Sequence, residues 1–278
     1  MENFTNPLDP RQQEPFNKNE LDRFCSKYVL GRTLSSGNFN AVAVGHNKEN
    51  YRKVVIKAIY KPYHSKLKEA NFLKKLTNVA GIIQYYDHYY VKNNVNLLVM
   101  QHFGHMNLKM FIINSGPLSE KVSYTIFKQI ASAAFQMFTV HNILHRKLRP
   151  SNILINTNTL QIKIINLNSA CLFSDNETFT SQLSILNAPP EYFTIKKYTA
   201  DGLYVWSLGL ILYTMLFNKT PFKTAEEIMY TPVSVPKSIK HISLDVQVFL
   251  KWTLTKLKPD RITLKQIMYH PWFTKKYV

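Results

Sequence analysis

The run HRKLRPSNILINTNTLQIKIINLN, residues 145–168, joins a cationic octet, His145 to Asn152, to two short apolar strands predicted at Ile153 to Asn156 and Ile162 to Ile165. Around it the apolar residues recur at the helix period. Leu108 to Asn114 and Ser119 to His141 precede it, and Leu203 to Phe217, Leu244 to Thr255 and Thr263 to Tyr269 follow. Further toward the N-terminus the period falls to two. Tyr28 to Leu34, Asn40 to Val44 and Lys53 to Tyr60 predict an antiparallel meander, and Ile82 to Val91 and Asn96 to Phe103 predict two more strands joined at Asn93-Asn94. Between them, Leu67, Ala70, Leu73 and Leu76 step along one face of a helix over Ser65 to Leu76, with Ser65 as its cap. The expected fold class is α+β: a β N-lobe of five strands and one helix, residues 25–103, then a mainly helical C-lobe, residues 104–278, with a cleft near residues 101–107. Residues 1–24 hold Pro7, Pro10 and Pro15 among polar side chains and are expected to form a flexible arm.

Composition narrows the function. A chain of 278 residues, 45% hydrophobic and 19% charged, can bury a large core, which excludes global disorder. Its two cysteines exclude a disulfide framework and a four-cysteine zinc module, so a reducing compartment, cytoplasm or nucleus, is expected. His102 and His105 stand three apart with no further pair to complete a metal site. The longest apolar run, Val205 to Phe217, is broken by Ser207, Gly209 and Thr214, so no membrane span is expected, and Met1 to Glu20 is too polar for a signal peptide. The 35 Lys and Arg against 17 Asp and Glu leave a net charge of +18. These cations are spread along the chain, so the excess favours acidic partners without predicting specific nucleic-acid binding.

The motifs, in order, resemble those of the eukaryotic protein kinases over about residues 28–274. Val54-Val-Ile-Lys57 resembles V-A-I-K, His145-Arg-Lys-Leu-Arg-Pro-Ser-Asn152 resembles H-R-D-L-x-x-x-N, Asn166-Leu-Asn168 stands at D-F-G, and Pro189-Pro-Glu191 at A-P-E. Val205-Trp-Ser-Leu-Gly209, Pro259-Asp-Arg261 and His270-Pro-Trp272 continue the series. Within the family, Ala188-Pro-Pro-Glu191 and Val205-Trp-Ser207 are similar to the Pim group of serine/threonine kinases.

The resemblance implies a nucleotide-binding set of Gly37, Val42, Val55, Lys57, Glu69, Met100, Gln101, Phe103, Asn152, Leu154 and Asn166. Glu69 is the one acidic residue between Lys57 and Asp87 and so the one helix carboxylate available to Lys57. Several positions depart from the pattern. Ser35-Ser-Gly37-Asn-Phe-Asn40 keeps one glycine of the phosphate loop, and Val55 replaces the alanine that lies over adenine. At the catalytic position the proton-accepting aspartate is Lys147, an ammonium that serves as a base only when strongly desolvated, and Arg149 stands at the place of the catalytic-loop lysine. The metal-binding aspartate is Asn166, which with Asn152 leaves two neutral amides where Mg²⁺ asks for carboxylates, so no metal is expected and both amides read as vestigial ligands. Losing base and metal ligand together removes several orders of magnitude in rate.

The expectation is therefore a Pim-like pseudokinase, monomeric, which acts in signalling by binding a protein, either a kinase or a kinase substrate, and takes ATP or ADP without Mg²⁺ if it takes a nucleotide at all. Two alternatives stand beside it: an active, atypical serine/threonine kinase, and a basic adaptor for nucleic acid or anionic membrane. Compact size and eroded motifs suit a viral copy of a host kinase, which places the chain in the host cytoplasm or nucleus. The Glu191 to Arg261 ion pair is also implied by the resemblance.

Overall fold

A computed structural model describes residues 18–37, 40–60, 67–91, 95–104, 106–236 and 242–275. The chain divides into two compact units, one of residues 1–66 and 86–102 and the other of residues 67–85 and 103–278.

The first unit holds a helix α1 (Lys18–Lys27) and the strands β1 (Tyr28–Gly37), β2 (Asn40–Asn47), β3 (Lys53–Tyr60), β4 (Tyr85–Val91) and β5 (Val95–Gln101), ordered β1-β2-β3-β5-β4. Period-two alternation sends Val54 and Ile56 into one core with Tyr89, Val91 and Val99. Phe24 and Tyr28 complete that core, their rings 5.8 Å apart and both edge-on to Tyr89. This revises the expected arm. The last positions before Cys25 are helical, since Leu21 and Phe24, three apart on α1, supply a face that the sheet covers. The turn at Asn93-Asn94 and the cap at Ser65 lie outside the described residues.

The second unit opens with α2 (Lys68–Lys75), shorter than expected and without a side-chain cap at Leu67. Ile82 and Ile83 leave the expected strand: Ile82 bridges Ile164 in parallel, and Ile83 N donates to Ile164 O at 3.0 Å. Then follow β6 (Met106–Asn107), α3 (Leu108–Ser115), α4 (Glu120–Thr139), β7 (Ile143–Leu144), β8 (Ile153–Ile155), β9 (Ile162–Ile164), β10 (Cys171–Leu172) and β11 (Thr178–Phe179). The chain continues through α5 (Pro190–Thr194), β12 (Tyr198–Thr199), α6 (Ala200–Phe217), α7 (Ala225–Tyr230), α8 (Leu244–Thr253), α9 (Leu264–Ile267) and α10 (Pro271–Thr274). Small sheets β6-β8-β9, β7-β10 and β11-β12 lie among these helices.

Short polar side chains start the helices. Ser119, Thr199, Ser243 and Thr263 each accept the backbone N–H three residues on, satisfying a donor that the first turn leaves open. α6 is apolar all round and lies in the core, with α4 and α8 packed on it. It has the length and composition to cross a membrane, with a mean hydropathy of 1.4, because Ser207, Gly209 and Thr214 do not interrupt the helix as its sequence suggested. Of that helix, 83% is buried inside the fold, as befits a core helix of this length. Glu120, at the start of α4, ties distant elements together by accepting from Ser243 N and Oγ, each at 2.7 Å, and from Trp272 Nε1 at 3.0 Å.

Candidate functional site

In the second unit the octet His145 to Asn152 is a built loop. His145 is fully buried, and its two ring nitrogens are used differently: Nδ1 accepts from Lys147 N at 3.1 Å, and Nε2 donates to Ile165 O at 3.1 Å. That arrangement requires a neutral ring, and burial lowers its pKa to about 4. Its backbone N–H donates to Tyr204 Oη, which in turn donates to Ile143 O at 2.7 Å. The ring thus works as a splice between the loop and the strand before Asn166.

The two asparagines meet. Asn166 sits in the left-handed region at φ 70°, ψ 61°, a conformation that Asn tolerates. Its Nδ2 donates to Asn152 Oδ1 at 3.2 Å, and Asn152 Nδ2 donates onward to Lys147 O at 2.7 Å. Asn152 Oδ1 already accepts a hydrogen bond, and Asn166 Oδ1, buried and without a partner among the described residues, contributes one neutral oxygen. Among the described residues no group of three His, Cys, Asp or Glu side chains could hold a metal ion. A small hard cation that prefers carboxylate oxygens does not fit this set.

The other predicted side chains of this unit are placed as follows. Lys147 is exposed. Arg149 is half-buried, its Nε without a partner among the described residues. Leu154, on β8, lies opposite Asn107 on one side and Lys163 on the other. Glu69 is buried on α2, and Phe103 follows the boundary between the units.

In the first unit, strand register puts Val42, Lys57 and Leu98 in one cross-strand row and Val44, Val55 and Met100 two rows away, on the same face. Directly opposed residues share a face, so Val42, Val55, Lys57 and Met100 line the same side of the sheet. Gly37 ends β1 opposite Asn40, while Gln101 opposes Val54 in the adjacent row and its Oε1 is buried without a partner among the described residues.

Three connections were not legible in the sequence. Arg146, which charge alone assigns to the surface, is half-buried at φ 60°. It donates through Nε to Ser169 O and through its guanidinium to Ser181 Oγ at 2.6 Å. Ser181 Oγ is also 2.6 Å from Tyr198 Oη, so one cation anchors the segment after Asn166 at two points. Tyr204 carries no local signal for its bond to His145. The third, Glu120, joins residues more than 100 positions away.

Glu191 and Arg261 do pair. Two parallel hydrogen bonds of 2.9 and 2.8 Å join them with the guanidinium almost fully buried, and Arg261 also faces the Trp206 ring at 5.1 Å.

A protein kinase domain model matches residues 28–273. The chain belongs to the protein kinase family, with the β-sheet first unit and helical second unit described above. It is Pim-like: 30% identical over 280 residues to the serine/threonine-protein kinase pim-2 of Danio rerio, covering 94% of this chain and 89% of that protein. It is 26% identical to the serine/threonine-protein kinase prk-2 of Caenorhabditis elegans over 91% of this chain and 59% of that protein. It is also 28% identical to the carbon catabolite-derepressing protein kinase of Saccharomyces cerevisiae over 88% of this chain and 40% of that protein.

Proposed function

We propose that this chain is a catalytically impaired protein kinase that acts by binding another protein, itself a kinase or a kinase substrate. The observation that carries the reading is the amide chain from Asn166 through Asn152 to the Lys147 carbonyl. Where phosphoryl transfer asks for a carboxylate–cation pair, two neutral amides are hydrogen-bonded to each other, and no carboxylate stands at position 147 to accept the substrate hydroxyl proton. The features retained are those that hold structure: the neutral His145 splice, the Glu191–Arg261 pair and the buried Trp206. Nucleotide, in this reading, binds weakly or not at all, and any ATP or ADP is taken without Mg²⁺, with the cations of Lys147 and Arg149 taking part of the neutralising role.

The test is transfer of radiolabelled γ-phosphate to a basic peptide with Mg²⁺ or Mn²⁺. Transfer equal to that of a Lys57→Ala control is expected. The names of the relatives favour the second reading, an active serine/threonine kinase, and transfer that disappears in the control would establish it.

A further inference from the structure

One face of the second unit has no part in the reading above. α2 presents Lys68, Phe72 and Lys75 at i, i+4 and i+7, which places them on one side of the helix, while Glu69, Ala70 and Leu73 are buried. With Lys74 and with Cys171 and Leu172 of β10 they bound a groove of about 620 Å³, within the size range of binding pockets. Its floor is apolar: Phe72 is half-buried, and Leu172 remains 52% exposed.

Its rim is cationic. Lys68, Lys74 and Lys75 are all exposed, and no carboxylate lines the groove among the described residues. Cys171 senses the same field. Burial pushes its thiol pKa up, the charges of Arg146 and Lys68 pull it down, and that of the Glu177 carboxylate, which does not line the groove, pushes it up. A nucleic-acid strand would use the lysines and leave the apolar floor uncovered. An acidic protein segment with a bulky apolar residue uses both.

We propose that this groove docks an acidic segment of a partner protein, with one large apolar side chain seated on Phe72 and Leu172 and flanking carboxylates held by Lys68, Lys74 and Lys75. The proposal rests on the reading of the chain as a protein-binding member of its family, and names the surface and the chemistry of the partner.

Fluorescence anisotropy of the full chain with the labelled peptide Glu-Asp-Glu-Phe-Glu-Asp-Glu tests it. Binding is expected, weakening at least about tenfold in a Lys68→Glu, Lys75→Glu variant and when the peptide's Phe is replaced by Ser. Leu172→Ser, at a half-exposed position, should also weaken binding, and an unchanged melting curve certifies that each variant is folded. No binding, equal binding of the Phe-less peptide, or binding indifferent to the lysine reversals overturns the groove. So does preferential retention of an oligonucleotide or of phosphatidylserine vesicles. Phosphate transfer in the preceding assay would refute the impaired-catalysis reading without altering this result, and loss of peptide binding leaves the transfer assay untouched.

Discussion

At the scale of single residues, replacing a carboxylate by an amide changes which atoms donate. An aspartate at 166 could only accept, and would face Asn152 Oδ1 as one oxygen to another unless a cation came between them. Asn166 donates instead, and the pair needs no cation. Calorimetry of ATP should therefore show no gain in affinity when Mg²⁺ is added: either weak binding, roughly 0.1 to 1 mM, in EDTA and in Mg²⁺ alike, or no heat in either buffer. A clear Mg²⁺-dependent increase in affinity would contradict the amide geometry.

His145 makes a second prediction at this scale. Its pKa is about 4 in the fold against an ordinary value of 6.5, so between these pH values the unfolded chain binds a proton that the folded chain does not. Stability is then full above pH 6.5 and falls as the pH drops toward 4, by up to roughly 3 kcal/mol. Urea unfolding at pH 7.5 and pH 5 measures it. A His145→Leu variant should lose most of this slope and keep a smaller part from His270, whose pKa burial also lowers. Equal slopes in both proteins would mean that His145 is accessible to solvent protons.

At the scale of elements, the close approach of α6 and α8 is set by one glycine. A Cβ at Gly209 would stand 2.7 Å from Thr253 Oγ1 and 2.8 Å from Leu254 Cδ2. Thr253 cannot retreat easily, since it is fully buried and its hydroxyl bonds Phe249 O and Leu250 O. Alanine has the better helix propensity by up to about 1 kcal/mol, but the clash outweighs it. Gly209→Ala should cost about 1 to 3 kcal/mol, seen as a lower denaturant midpoint with an unchanged slope. A rise in the midpoint would show that α8 moves away freely.

The same scale shows where local pattern misleads. In α1, Leu21 and Phe24 are too few to make a period among polar neighbours, and only contact with Tyr28 and Tyr89 makes the segment worth ordering. Along Ile82 to Val91 the opposite happens. The residues have strand character throughout, yet the ladder to β5 begins later, because Ile82 and Ile83 are taken by Ile164.

At the scale of the whole molecule, the bidentate, buried pair of Glu191 with Arg261 ties α5 to the segment before α9. Removing one member leaves a buried charge unmatched, so Glu191→Ala should cost about 3 to 5 kcal/mol and lower the melting temperature sharply. An unaltered thermal scan would mean that the pair is solvated in solution.

The sequence by itself determined the order of the longer strands and helices, because side-chain period is local and is written into neighbouring residues, whereas α1 and the two-residue strands carry too few residues to show a period. It also determined the chemical types at positions 147 and 166, a lysine and an asparagine, on which the proposed impairment rests. Tertiary structure alone decided how the remaining groups are used. Arg146 bonds Ser181, Tyr204 bonds the loop at His145, and Asn166 turns its amide toward Asn152. Each of these joins residues brought together only when the chain folds back on itself, and which partner a donor takes depends on what burial leaves within hydrogen-bond distance, a three-dimensional constraint that no local spacing records.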